Sequence, residues 1–247
     1  MPRPISITIG VVLCGLLFSV NRSHAEAPPS TQPDSAAFRQ WITQLADADP
    51  DVRDSATQQL MSLKRDDLPA LRQAAMSQRP LLPVQIASLR DVVRQVYLAS
   101  EPYKPMRDVA FLGLSWQGAE FRDSGDVGVV VADRIPGFDA YRCLRNGDVI
   151  VKLLDNPDAP LHNPSQLRDT VRVLGPGRIL RFEVLRDGRP VVVSVLLQAR
   201  PLELPDLSDP REWIKERADR ADKYWESNFS VLDRDVAATD AAAASAP

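Results

Sequence analysis

The stretch RILRFEVLRDGRPVVVSVLLQA, residues 178–199, decides the fold of the second half of the chain. Leu180, Phe182 and Val184 alternate with polar residues, which predicts a strand with one buried face. The Asp-Gly step at 187–188 favours a tight turn, and a second apolar run follows it. The stretch therefore predicts a β-hairpin.

Further strand signals precede this hairpin. GVVVADRI at 128–135 is an apolar run, and RNGDVIVKLL at 145–154 joins an Asn-Gly turn to another strand. Between them and the hairpin, NPSQLRDTVRVLGPG at 163–177 predicts one helix that ends at Gly175. Its expected inner face consists of Leu167, Val171 and Leu174.

The first half of the chain has helical periodicity instead. Apolar residues with helical spacing predict four short amphipathic helices across residues 35–100, one of them capped by Asp49 and begun by Pro50. The phrase LADADPDVRDSATQQLMSL at 45–63 also resembles a HEAT-like repeat. A small helical bundle explains the same pattern equally well, and both interpretations stay open.

The two ends of the chain carry different signals. Residues 1–25 are typical of a cleaved secretory signal, and residues 26–34 of a linker. An uncleaved membrane anchor is the alternative for this apolar run, although the run is short for a stable span. Residues 206–229 predict a charged helix that packs on the rest of the chain or binds a partner, and residues 230–247 a disordered tail.

Charge and cysteine content indicate the class of partner and the cellular compartment. The net charge of −3 becomes more acidic once the signal is removed, and no basic stripe appears, so we expect no nucleic-acid partner. Without the signal the chain has one cysteine, Cys143, and can form no internal disulfide. These features favour an exported protein, periplasmic or secreted, of bacterial type.

Four phrases occur in a characteristic order: Gly113 between two leucines, IPGFDA at 135–140, LRNGDVI at 144–150 and PGRILRFEVLRDGR at 176–189. This order resembles a PDZ domain of the kind attached to bacterial envelope proteases of the high-temperature-requirement family. The expected fold is α+β with two domains. N-terminal α-helical hairpins, HEAT-like, precede a PDZ-type partly open β-barrel with two helices at residues 103–203.

The resemblance implies a site for the end of a peptide. The backbone N–H groups of Leu112, Gly113 and Leu114 would receive a terminal carboxylate, with the side chains of Phe111, Leu112 and Leu114 forming the pocket for the last residue. The peptide would add as a strand, and the groove candidates are Ser115, Trp116, Gln166, Thr170, Val173 and Leu174. Lys104 and Arg107 would attract the anion. Alternatively, Gly113 only packs at a strand turn, and the groove is unused or filled.

One residue departs from the family pattern. Cys143 stands where the family usually has glycine, just before the leucine of the turn. We expect a buried free thiol there, not a reactive one.

Catalysis has little support in the sequence. A serine protease needs a histidine base, and beyond the signal only His162 is present, in a loop phrase. Residues 123–125 give a single Asp-Ser-Gly phrase, where an aspartic dyad needs two. One histidine and one cysteine far apart predict no metal site, and no phosphate loop occurs, so we expect no cofactor and no enzyme.

The sequence thus predicts an adaptor that binds C-terminal or extended segments of envelope proteins. The helical region could contact a protease or an assembly partner. One alternative is a structural docking or dimerisation module with an occluded groove. Another is a regulatory subunit or remnant of an envelope serine protease.

Overall fold

The computed structural model describes residues 35–120, 127–155, 161, 164–204 and 211–234. Both histidines, the phrase at 123–125, the signal and the end of the tail lie outside this part. Within it the helices are α1 Ser35–Gln44, α2 Pro50–Met61, α3 Leu68–Ser77, α4 Pro83–Ala99, α5 Asp139–Cys143, α6 Pro164–Leu174 and α7 Arg211–Asn228. The strands are β1 Pro105–Phe111, β2 Leu114–Glu120, β3 Val127–Arg134, β4 Val149–Leu153, β5 Ile179–Arg186, β6 Arg189–Leu196 and β7 Gln198–Pro201.

Helix α2 begins as its sequence predicts. Asp49 is the N-cap, its carboxylate accepts a hydrogen bond from the N–H of Asp51, and Pro50 occupies the first helical turn. The cap satisfies one of the N–H groups that have no partner within the helix. Proline, which has no N–H, loses no hydrogen bond in the first turn because N–H groups there have no acceptor within the helix. The predicted start at residue 49 is confirmed.

Helix α7 packs on α4 and completes the helical core. Trp225 and Phe229 are buried, their rings stacked 5.1 Å apart, and Leu232 is buried beside them. These aromatic side chains therefore serve packing. The expected tail begins later than residue 230, because residues 230–234 are helical and Leu232 anchors them. We call α1–α4 and α7 the helical layer.

The predicted hairpin is β5 and β6. The two strands pair from Ile179 with Leu196 to Arg186 with Arg189. Asp187 and Gly188 have φ of +51° and +76°, the left-handed values that a two-residue hairpin turn of this hand requires. The local sequence thus set both the strands and their register.

The described strands form two open sheets and no closed barrel. The larger sheet has the order β2-β3-β4-β5-β6, with every neighbouring pair antiparallel, and the smaller one pairs β1 with β7. Strands β2 and β6 are the edges of the larger sheet. An edge strand presents unpaired backbone groups on one side.

Helix α6 lies against β1 and β2. Its residues Leu167 and Val171 are buried, as predicted. Leu174 differs from the prediction because 38% of it is exposed. The helix ends at this residue, and Gly175, with φ of +74°, turns the chain away from the core.

The helices and the larger sheet have separate hydrophobic cores, yet they share buried contacts. Tyr141 of α5 belongs to the helical core, and its hydroxyl donates to Asp91 of α4. Arg145 forms an ion pair with Asp54 of α2. The described residues from 35 onward accordingly belong to one compact unit. None of the described helices is long and apolar enough to cross a membrane.

Candidate functional site

The glycine loop, residues 111–114, joins the end of β1 to the start of β2. Gly113 has φ of +73°, a conformation that side-chain-bearing residues avoid. Its carbonyl oxygen accepts a hydrogen bond from the N–H of Ile135 at 2.8 Å, which ties the loop to the segment that follows β3.

The hydrogen bond to Gly113 fixes the direction of one N–H group of the glycine loop, that of Leu114. No backbone carbonyl of the described residues accepts from the N–H of Leu112 or Gly113 outside the strand ladders. Hydrogen-bonding direction alternates along an antiparallel strand. Because Gly113 bonds toward β3 through its carbonyl, the N–H of Leu114 points to the open edge of β2. Successive amides of this kind make a small concavity suited to an anion.

Gly113 also has a packing role that the sequence did not reveal. A Cβ atom at this position would lie 2.2 Å from Cβ and 2.5 Å from Cγ of Phe138. The backbone of Gly113 therefore rests directly on the Phe138 side chain. This close approach by itself requires glycine, so the residue type is not evidence for a ligand.

The sequence analysis predicts a groove between β2 and α6, and these two elements contact each other. On the helix, Gln166 and Thr170 are half-buried, whereas Arg168 and Arg172 on the other flank are exposed. The hydroxyl of Thr170 donates to the carbonyl of Gln166 at 3.0 Å. The half-buried flank is thus the one toward the protein body. Val173 extends this flank and is 87% exposed.

The side chains of the loop are distributed unevenly. Leu112 and Leu114 are buried in the core of the larger sheet, and Trp116 packs against the same core while Ser115 is exposed. Phe111 is half-buried, and its ring meets that of Phe138 edge to face at 5.1 Å. Leu112, Gly113 and Leu114 are thus buried as whole residues, and Phe111 is the partly exposed residue of the loop.

The structure does not bring Lys104 close to the loop. Lys104 precedes β1 by one residue and is seven residues from Phe111, roughly 20 Å along an extended strand. Arg107 lies midway. Exposed charges separated by more than about 8 Å are largely screened at physiological ionic strength. Neither residue is placed to contact a carboxylate held by the loop.

Several residues near the loop were missed by the sequence reasoning. Gln95 of α4 is buried and hydrogen-bonds the backbone of Gly137 and Phe138. Arg217 of α7 is buried too, and burial lowers the pKa of its guanidinium while Glu101 opposes that change. Buried polar residues on otherwise apolar helix faces were the available signal, because such groups need partners.

Cys143 is buried, as predicted. Burial, with a smaller effect from the Asp139 carboxylate, raises the pKa of the thiol to about 12. Its Sγ lies 3.7 Å from Oδ2 of Asp139. A thiol in this state is unreactive at neutral pH. Among the described residues, no cluster of three histidine, cysteine or acidic side chains could hold a metal ion.

Comparison with solved structures gives partial similarities. One is to a variant of the HtrA-type protease AlgW with a decapeptide, at a TM-score of 0.35 and 25% identity, over 39% of this chain and 31% of that one. Another is to AlgW with a tripeptide, at a TM-score of 0.34 and 24% identity, over 41% and 34%. The chain thus spans about a third of each solved chain. No protein-family model matches it, and no curated protein does.

Proposed function

We propose that this chain is an exported, non-catalytic protein that binds peptides in a PDZ-like groove between β2 and α6. The observation that carries the proposal is the open edge of β2, which starts at the amides of the glycine loop and runs beside α6. An extended peptide would add to that edge as an antiparallel strand. Its terminal carboxylate would accept hydrogen bonds from the amides of residues 112–114.

Helix α7 packs on the helical layer. One possible occupant of the groove was the C-terminal helix, but α7 packs on α4 in the helical layer. The main contact of that helix is therefore with α4 and not with β2. A single groove of this type gives modest affinity, on the order of micromolar, or about −8 kcal/mol.

The partners proposed are C-terminal or extended segments of envelope proteins. The chemistry of the groove favours this class, since backbone pairing suits any extended chain and the loop amides suit a free carboxylate. The non-catalytic part of the proposal rests on the sequence, which offers one histidine beyond the signal and no nucleophile motif.

The test is peptide binding to the full chain, without the signal, from a random C-terminal library. Selected peptides are then compared as free acids and as amides. Thr170→Glu places a charge on the half-buried flank of α6 and should raise the Kd of the free acid about tenfold or more. Ser165→Glu adds the same charge at an exposed position of the helix and should change the Kd less than twofold.

Two outcomes would contradict the proposal. One is equal binding of free-acid and amidated peptides, which would show that the backbone N–H groups of the loop do not bind a terminal carboxylate. The other is equal loss in Thr170→Glu and Ser165→Glu, which would show a charge effect without a groove. Absence of any selected peptide at high micromolar concentration would favour the alternative, a structural docking or dimerisation module.

A further inference from the structure

The glycine loop is held from outside by a second segment, residues 135–138, which we call the bridge segment. Its first residue, Ile135, donates its N–H to the carbonyl of Gly113 at 2.8 Å. Its last residue, Phe138, is almost fully buried and packs on the backbone of Gly113 and on the ring of Phe111. Because Gly113 has no side chain to fix its own position, these contacts define where its backbone lies.

Helix α4 holds the other side of the bridge segment. The amide of Gln95, 3% exposed, accepts from the N–H of Gly137 at 2.6 Å and donates to the carbonyl of Phe138 at 3.1 Å. A Cβ atom on Gly137 would lie 2.9 Å from the backbone carbon and oxygen of Leu98. The bridge segment therefore touches α4 directly, with no room between them.

Helix α7 completes the enclosure. The guanidinium of Arg217 donates to the carbonyl of Leu98 at 3.1 Å and pairs with Glu101 at 3.0 Å. It also lies 4.7 Å from the ring of Trp213, whose centroid is 6.4 Å from that of Phe138. Groups from both α4 and α7 thus surround the segment that supports the glycine loop.

We propose that the helical layer sets the conformation of the glycine loop through the bridge segment, with Gln95 as the positioning residue. This inference rests on the proposed function, since the loop matters as the receptor of a peptide carboxylate. Loss of the Gln95 amide leaves the buried N–H of Gly137 without a partner and removes one of the two hydrogen bonds to the carbonyl of Phe138, which still accepts from Tyr141. The bridge segment then has to move to satisfy the N–H of Gly137. By linkage, a partner that binds the helical layer and shifts α4 changes peptide affinity, and the peptide changes that partner's affinity equally.

The first measurement needs no ligand. Hydrogen–deuterium exchange of the peptide covering residues 111–116 is compared in the full chain and in Gln95→Leu, which keeps the side-chain volume but loses both hydrogen bonds. Faster exchange of this loop is expected in the variant. Phe138→Leu is a second variant, which leaves the two Gln95 bonds to the backbone but removes the ring that packs edge to face on Phe111, and it should have the same effect.

Tyr141→Phe is the matched control. It removes the hydroxyl bond to Asp91 of α4, in the same contact between helices and sheet, and leaves the backbone N–H of Tyr141, which donates to Phe138, unchanged. Exchange at 111–116 should stay at the level of the unmodified protein. Equal acceleration in the control, or none in Gln95→Leu and Phe138→Leu, would overturn the inference.

Peptide binding gives the second measurement. For the free-acid peptide selected from the library, Gln95→Leu should raise the Kd about fivefold or more, while the Kd of the amidated peptide changes less than twofold. A merely less stable protein would weaken both peptides equally, which would refute positioning. Failure of the unmodified protein to prefer free acids would refute the proposed function instead, and the exchange result would still decide the coupling.

Discussion

Gly113→Ala is expected to destabilise the fold far more than an ordinary glycine replacement. At φ of +73° a Cβ atom costs about 1–2 kcal/mol. The new methyl would also lie 2.2 Å from Cβ of Phe138, so the chain has to shift, and overpacking of this kind costs about 1–3 kcal/mol. The expected loss in the free energy of unfolding is about 2–5 kcal/mol.

Gly175→Ala provides a matched control. Its φ is +74°, nearly the same value, but nothing lies within 4 Å of the Cβ position. Only the conformational cost applies there, so the loss should be about 1–2 kcal/mol. The difference between the two variants isolates the contact with Phe138. It corresponds to about 2–12 °C in Tm for a unit of this size.

The assay is urea unfolding at equilibrium, followed by tryptophan fluorescence, with thermal unfolding as a check. Equal destabilisation by the two alanine variants would refute the close packing of Gly113 on Phe138. Removing the Phe138 ring offers a further test, because the Phe138 atom nearest to the new methyl group is Cβ, which alanine keeps. Phe138→Ala should therefore fail to rescue Gly113→Ala. For the same reason, a side chain at residue 113 is a poor probe of peptide binding.

Two further predictions concern buried groups. In the chain without the signal, whose one cysteine is Cys143, this thiol should react with a thiol reagent at pH 8 at least about a thousandfold more slowly than in the urea-unfolded chain, because its pKa is about 12. Rapid labelling of the folded protein would contradict this. Asp148→Asn should lower the free energy of unfolding by about 3–5 kcal/mol, since it leaves the guanidinium of Arg186 buried without its carboxylate. Asp155→Asn, which breaks an exposed ion pair, should cost less than about 1 kcal/mol, and similar losses in both variants would refute the distinction.

Sequence patterns predicted the parts of the fold that depend on neighbours along the chain. The β5–β6 hairpin follows from alternation and an Asp-Gly turn, and the start of α2 follows from its cap and proline. The inner face of α6 was predicted correctly at Leu167 and Val171. The prediction was wrong at Leu174, because helical spacing does not show at which residue a helix ends and leaves the core.

The contacts that surround the glycine loop could not be predicted in the same way. Gln95 binds residues that lie 42 and 43 positions away, and no periodicity encodes such a pairing. A partial signal existed, because Gln95 stands on the buried face of α4 among valines. Gln85, on the same helix, is likewise buried and donates to the carbonyl of Ile42. A buried glutamine side chain indicates that it has hydrogen-bond partners but does not identify the residues that provide them.

The change of periodicity near residue 100 marks a change in secondary structure, and independent folding of the two regions is a separate question. A fragment of residues 103–203 would lose the amide of Gln95, the backbone of Leu98 and the guanidinium of Arg217, all of which contact residues 137–138. It would also expose Tyr141, which is buried in the helical core. The amides proposed to bind a carboxylate would then lose the segment that holds them. Binding measured on such a fragment would report a loop without its support, so the full chain is the appropriate object for every binding test.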